Sequence, residues 1–151
     1  MKPLSDPYDI AVNFIKFRPR SVKEVADKLA RKKIDPDKIE ATIVRLKNEH
    51  FLDDAAFAGL WVRNRLATKP EGKYLVKREL QQKGITADQI ERALNENYTL
   101  AEDEVIKELL RPRVDFENLN DPKKRKRIIS WLSRRGFGYQ TIKLALDSDE
   151  I

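Results

Sequence analysis

At 151 residues, with 31 lysines and arginines against 25 aspartates and glutamates, the chain carries a formal net charge of +6; its length suits one ordinary domain or two or three small ones. The absence of cysteine excludes disulfides, thiolate catalysis, zinc fingers and iron–sulfur ligation, and the single histidine, His50, leaves little scope for imidazole chemistry. The longest apolar run, Ala55 to Val62, is eight residues where a membrane span needs roughly 20, and Met1-Lys2-Pro3-Leu4-Ser5-Asp6 offers no secretory h-region, so a soluble cytoplasmic protein is expected.

Helix starts are marked along the whole chain. Asp6-Pro7 opens a first helix over 7–17, with Asp as N-cap acceptor and Pro at the first helical position. Ser21-Val22-Lys23-Glu24 is a capping box for a second, and Asp35-Pro36 opens a third. Asp53 and Asp54 then serve as N-cap and first-turn acid of a helix over 54–66 that is apolar around most of its circumference. Trp61 on that helix is expected in the core, and Arg65 is expected to snorkel or to meet Asp53 or Asp54. A helix over 73–83 follows, then capping boxes at Thr86-Ala87-Asp88-Gln89 and Thr99-Leu100-Ala101-Glu102, the latter opening a helix over 100–110. Asp121-Pro122 marks the next start. No Asn-Gly or Asp-Gly hairpin turn and no sustained period-two alternation is present, so the chain reads as all-α.

Internal repetition sets the architecture. Val25, Leu29, Ile34, Ile39 and Ile43 step by 4, 5, 5 and 4 residues; Val76, Leu80, Ile85, Ile90 and Leu94 repeat those steps, and Ile128, Leu132, Phe137, Ile142 and Leu146 repeat them again. Helical phase alone does not fix the two 5-residue steps. Each copy is a helical hairpin preceded by one further helix, which predicts three tandem three-helix repeats spanning 7–52, 53–98 and 99–151. Units this small must pack on their neighbours, so an elongated, curved array is expected, whose concave surface suits a long or helical partner better than a small molecule.

Phe51-Leu52-Asp53-Asp54-Ala55-Ala56-Phe57-Ala58, Trp61-Val62-Arg63-Asn64-Arg65, Arg78-Glu79-Leu80 and Lys83-Gly84-Ile85 are the most distinctive stretches, flanked by Arg18-Pro19-Arg20-Ser21 and Leu132-Ser133-Arg134-Arg135-Gly136-Phe137. In these the chain resembles the bacterial RecX family, regulators of the RecA recombinase. The resemblance implies three tandem three-helix units, no catalytic activity, and binding along the groove of a RecA–DNA filament. Two positions depart from the family pattern: Lys33 stands where Gly is favoured, and Asn48-Glu49-His50 replaces a Gly-containing turn.

Charge singles out two faces. Lys123, Lys124, Arg125, Lys126, Arg127, Arg134 and Arg135 occur with no acid between Asp121 and Asp147. At 100° per residue Lys123, Lys126, Arg127 and Arg134 fall with Ser130 and Ser133 in an arc of about 120°, while Ile128, Leu132 and Ile129 point away and Trp131 lies at the edge of the apolar face. Such a stripe suits phosphate backbones or an acidic protein groove, whereas a merely solvated face would gather like charges for no return. On the helix over 73–83, Tyr74, Lys77, Arg78 and Gln81 share an arc about 100° wide, a ring among cations that could stack on a base or pack on a neighbouring unit. The candidate residues for contact with partner or nucleic acid are Arg63, Arg65, Lys73, Tyr74, Lys77, Arg78, Lys123, Lys126, Arg127 and Arg134.

No G-x-x-x-x-G-K, G-x-G-x-x-G or H-E-x-x-H motif occurs, and the carboxylates are scattered along helix faces, so no cofactor, metal or catalytic residue is expected. The expected role is that of a monomeric regulator of the RecA filament. The alternative is a helical module that binds single-stranded DNA or RNA directly. A phosphodiester-cleaving enzyme lacks its carboxylate cluster.

Overall fold

The computed structural model describes residues 6–115 and 119–148. Among these the chain forms nine helices and no strand: α1 (Pro7–Phe17), α2 (Val22–Arg31), α3 (Pro36–Asn48), α4 (Asp54–Thr68), α5 (Lys73–Gln82), α6 (Ala87–Asn97), α7 (Glu102–Leu110), α8 (Pro122–Arg134) and α9 (Tyr139–Leu146). They sort into consecutive groups of three. α1, α2 and α3 pack mutually, α4, α5 and α6 do the same, and α9 packs on both α7 and α8.

The start signals operate largely as the sequence predicts. Asp6 and Asp53 accept backbone N–H groups as N-caps, and complete capping boxes form at Ser21–Glu24 and Thr86–Gln89. The expected box at Thr99 does not form. α7 begins at Glu102, and the Glu102 carboxylate reaches away from its own helix to accept the Lys73 N–H at the start of α5, 3.2 Å away.

The 5-residue steps now have a cause. Each second helix ends in a Schellman turn in which the Ile34, Ile85 or Phe137 N–H donates to the carbonyl of Leu29, Leu80 or Leu132. That bond joins residues five apart and brings their apolar side chains together. The turn needs a left-handed residue one position earlier, supplied by Lys33 (φ 60°), Gly84 (φ 80°) and Gly136 (φ 89°). His50, also left-handed at φ 63°, closes α3 in the same way, with the Phe51 N–H on the Leu46 carbonyl. Both departures from the family pattern therefore keep the backbone geometry and carry a side chain where glycine would be unstrained.

All fifteen repeat positions join the hydrophobic interior, which falls into two clusters. Val25, Leu29, Leu46 and Ala11 centre the one beneath α1, α2 and α3; the other runs without interruption from Phe57, Val62, Val76 and Leu80 to Leu132, Phe137 and Ile142. Trp61 sits at the edge of the second cluster, half-buried and stacked on Phe57 at 5.8 Å between ring centres. The molecule exposes 10089 Å², well above the about 7,900 Å² of a compact monomer of this mass, in keeping with an array of small units.

One device joins both pairs of groups. The first residue of α4, Asp54, accepts the N–H of the first residue of α2, Val22, at 2.9 Å; Glu102 of α7 repeats this on Lys73 of α5. The acid of one unit thus caps the second helix of the unit before it.

Candidate functional site: a basic groove on α8

α8 breaks the repeat at its N-terminal end. α2 and α5 begin three residues before Val25 and Val76, whereas α8 begins six residues before Ile128, adding almost a turn that carries Lys123 and Lys124. Asp121 caps this end, and the first turn holds no acid. Cations at a helix N-terminus oppose the macrodipole, by about 0.3–1 kcal/mol each at the surface. A local rule broken this consistently marks a place where something other than stability is being served.

The stripe predicted on α8 faces a groove of about 730 Å³. Lys123, Lys126, Arg127, Ser130 and Arg134 line one side, exposed, and Leu110, Arg113 and Val114 from the end of α7 close the other. Ile128 and Trp131 form the half-buried floor, so Ile128, expected to point away from the stripe, meets the groove at its base. Five cations converge here with no carboxylate among the lining residues, and none of the five is ion-paired to a described acid. Over the Trp131 ring lie two guanidinium groups, Arg135 at 4.3 Å and Arg113 at 5.8 Å. Sequence reading missed the far wall. The signal was Arg111-Pro112-Arg113, where Pro112 ends α7 and turns Arg113 and Val114 towards α8.

The second face also forms. Tyr74 is 70% exposed, and Lys77, Arg78 and Gln81 are exposed beside it, so the ring does not pack against a neighbouring unit. Lys73 lies at the edge of that face with its ammonium over the Tyr98 ring. Arg63 is exposed on α4 and donates to the Asn97 side chain.

Arg65 is placed otherwise. Its guanidinium donates twice to Glu79 Oε2, at 2.8 and 3.0 Å, lies 3.7 Å from Glu71 Oε2 and covers the Trp61 ring; Asp53 and Asp54 are occupied at helix ends. The expected partners came from chain proximity, whereas the fold brings α5 and its leading loop onto the same face of α4. Glu71 is buried, and burial first, then the pairing with Glu79, pushes its carboxyl up to about 7. No three metal-ligating side chains gather anywhere among the described residues.

Against models of known families, residues 8–46 match the first three-helix domain of RecX and residues 53–94 the second. The chain is 34% identical to the regulatory protein RecX of Chlorobium phaeobacteroides, covering 93% of this chain and 91% of that one. The chain belongs to the RecX family. It is also 29% identical over 95% of its length to RecX of Oceanobacillus iheyensis and 31% identical over 95% to that of Bacillus subtilis, of which it spans about half, 53% and 54%. The crystal structure of RecX from Lactobacillus salivarius superposes with a TM-score of 0.79, at 26% identity, over 93% of this chain and 92% of that one. Its relatives are named as regulatory proteins, and the architecture is theirs.

Proposed function

We propose that this RecX-family chain is a non-enzymatic regulator that docks along a RecA–DNA filament and limits its growth, ATP hydrolysis and strand exchange. In this reading it acts as a monomer in the cytoplasm, within DNA recombination, repair and the SOS response, with units bounded at 7–52, 53–98 and 99–151. The observation that carries it is the convergence on one groove of an extended helical array of five cations, none ion-paired to a described acid. A filament presents a long, repeating, anionic surface, and a charged groove on an extended array gains from such a partner both attraction and orientation.

A second reading, direct binding of single-stranded DNA, is favoured by Tyr74, whose exposed ring stands among Lys77 and Arg78 as a stacking platform does. Titration against pre-formed filaments and against bare single strands at matched salt separates the two. Inhibition of ATP hydrolysis at concentrations where bare DNA stays unbound supports the filament regulator; equal affinity for both supports the DNA-binding module. Replacing Lys123, Lys126, Arg127 and Arg134 by Ala sharpens the result. If all four meet single-strand phosphates, the slope of log affinity against log salt becomes shallower by about 2.8. If they meet acidic side chains, filament affinity falls while the affinity for bare DNA stays nearly constant.

A further inference from the structure

The groove on α8 is shaped for more than phosphate. Its rim carries cations, but Leu110 and Val114 on the far wall and Ile128 and Trp131 on the floor, three aliphatic side chains and one ring, also line it, and most of the surface it offers is apolar. A nucleic-acid backbone would leave that floor uncovered. A base would need a free aromatic face, and Trp131 is half-buried with the Arg135 and Arg113 guanidinium groups already over its ring. The exposed aromatic side chains, Phe17, Phe51, Tyr74 and Tyr139, are not among the residues that line the groove.

We propose that the groove between the end of α7 and α8 is a docking site for an acidic protein segment that places one or two large apolar side chains on the floor and flanks them with carboxylates. The inference rests on reading the α8 stripe as a partner-binding face, and it assigns that partner surface to protein. The charge pattern fixes the order of groups along the ligand. Lys126 and Arg127 come from α8 and Arg113 from the segment that follows α7, and both elements contribute apolar side chains to the groove. An anchor residue centred over Ile128 and Val114, at the edge of the covered Trp131 ring, would therefore meet cations from both elements and have acids on both sides of it. Burying the anchor removes water from the rim contacts and strengthens them, as in helix-in-groove recognition, where apolar anchors supply affinity and flanking charges supply register. The added turn of α8, unfavourable for the helix in isolation, extends the cationic wall by Lys123.

The test uses the full chain and a fluorescein-labelled peptide of about 12 residues, rich in Glu and Asp with Leu at two positions one helical turn apart. Three companions accompany it: the same peptide with acids changed to Gln, the same with both Leu changed to Ser, and an oligothymidylate of about 15 nucleotides. The acidic Leu peptide is expected to bind at micromolar concentration, with each altered peptide weaker by about tenfold or more. Lys126→Glu with Arg127→Glu should abolish binding. Ser130→Trp, which fills the groove from an exposed position and leaves every cation in place, should weaken it by about tenfold while leaving the circular dichroism spectrum unchanged. Equal binding of the Leu and Ser peptides, or indifference to Ser130→Trp, overturns the proposal, because the face would then be a charge patch without a groove function. Oligothymidylate binding that is itself lost on Ser130→Trp, with no binding of the peptide, overturns it in favour of nucleic acid. Peptide binding that follows the expected pattern in a chain that leaves RecA filaments unaffected upholds the docking site and removes the filament role.

Discussion

Between the first and second helix groups the contact runs through side chains, with no backbone-to-backbone hydrogen bond among the described residues. The Lys23 ammonium reaches the Gln82 carbonyl at 3.2 Å, Lys83 meets Glu24 at 3.4 Å, and Gly84 rests against the stem of Lys23. Between the second and third groups backbone meets backbone: the Gly72 N–H donates to the Arg135 carbonyl at 2.8 Å, Arg135 donates to the Pro70 carbonyl, and a Cβ on Gly72 would lie 2.2 Å from the Gly136 oxygen. The hydrophobic interior follows the same division, continuous across the second seam while the first group keeps its own cluster. One capping device, Asp54 on Val22 and Glu102 on Lys73, serves both seams, so the difference lies in what surrounds it. A polar seam between two separately closed cores can hinge; a seam through a shared core cannot without exposing that core. The basic groove thus belongs to a rigid pair of units, and adjustment to a partner falls to the first group.

The largest expected effect breaks the rigid seam. Gly136→Ala combines left-handed backbone with a methyl group 2.3 Å from Leu75 Cβ and 2.7 Å from the Leu75 nitrogen, so backbone must move; a loss of about 3 kcal/mol or more is expected in denaturant unfolding. Gly84→Ala carries the same backbone strain and brings its methyl group 2.7 Å from Lys23 Cβ, against a single exposed side chain and no backbone atom, so a smaller loss of about 2 kcal/mol is expected. Equal losses at the two positions would show that strain alone acts and that the seams are alike.

The seams should also respond to pH with opposite sign. Glu71, in the loop whose carbonyl accepts the Tyr98 hydroxyl, has its carboxyl raised to about 7 by burial and by Glu79. The folded state therefore holds a proton that the unfolded chain releases, and stability falls as pH climbs from the ordinary carboxyl range through about 7. Glu24, at the first seam, is pushed up by burial but more strongly held down by the Arg18 hydrogen bond, the Ser21 N–H and the Lys83 charge. Its contribution is present above the ordinary carboxyl range and is lost as pH falls below it. Thermal melts followed by tryptophan fluorescence, with Trp61 beside Arg65, should weaken on raising pH through 7, and Glu71→Gln should flatten that dependence. A melt insensitive to pH in the parent would remove Glu71 as a protonated group.

How much of this was written in the chain depends on whether the signal is local. The repeat positions were legible because a Schellman turn imposes its 5-residue step on sequence, and the α8 stripe was legible because it is one helix read at 100° per residue. The far wall of the groove, and the Arg65–Glu79–Glu71 cluster, arise from helices meeting at angles that no spacing encodes. Glu102 shows the limit most clearly: its position three after Thr99 fits a capping box, yet the neighbouring unit offers the Lys73 N–H and wins the carboxylate. In a repeat protein the strongest local motif can be claimed by the adjacent unit.

Smaller effects test whether the first group is independent. Lys33 adopts φ 60° at the position filled by glycine in the other two turns, and it is exposed, so Lys33→Gly should stabilise the first group by about 1 kcal/mol. If the groups unfold as one, the gain appears in the whole transition; if the first seam is a hinge, it appears only in amide exchange of α1 to α3.

The smallest expected change in stability comes from Lys83→Ala. The ion pair with Glu24 is partly exposed, and Glu24 keeps Arg18 at 2.5 Å and the Ser21 N–H at 3.2 Å, so no buried charge is orphaned and the loss should be below about 0.5 kcal/mol. Geometry should be affected more than stability. Combined with Lys23→Ala, the substitution removes two side-chain tethers across the seam and leaves the Asp54–Val22 hydrogen bond in place. Solution scattering of the double variant should show a broadened distribution of interatomic distances with an unchanged melting transition for the pair of units around Leu80 and Leu132. A distribution identical to that of the parent would mean that contacts other than these tethers fix the first group, and the two seams would then be equally rigid.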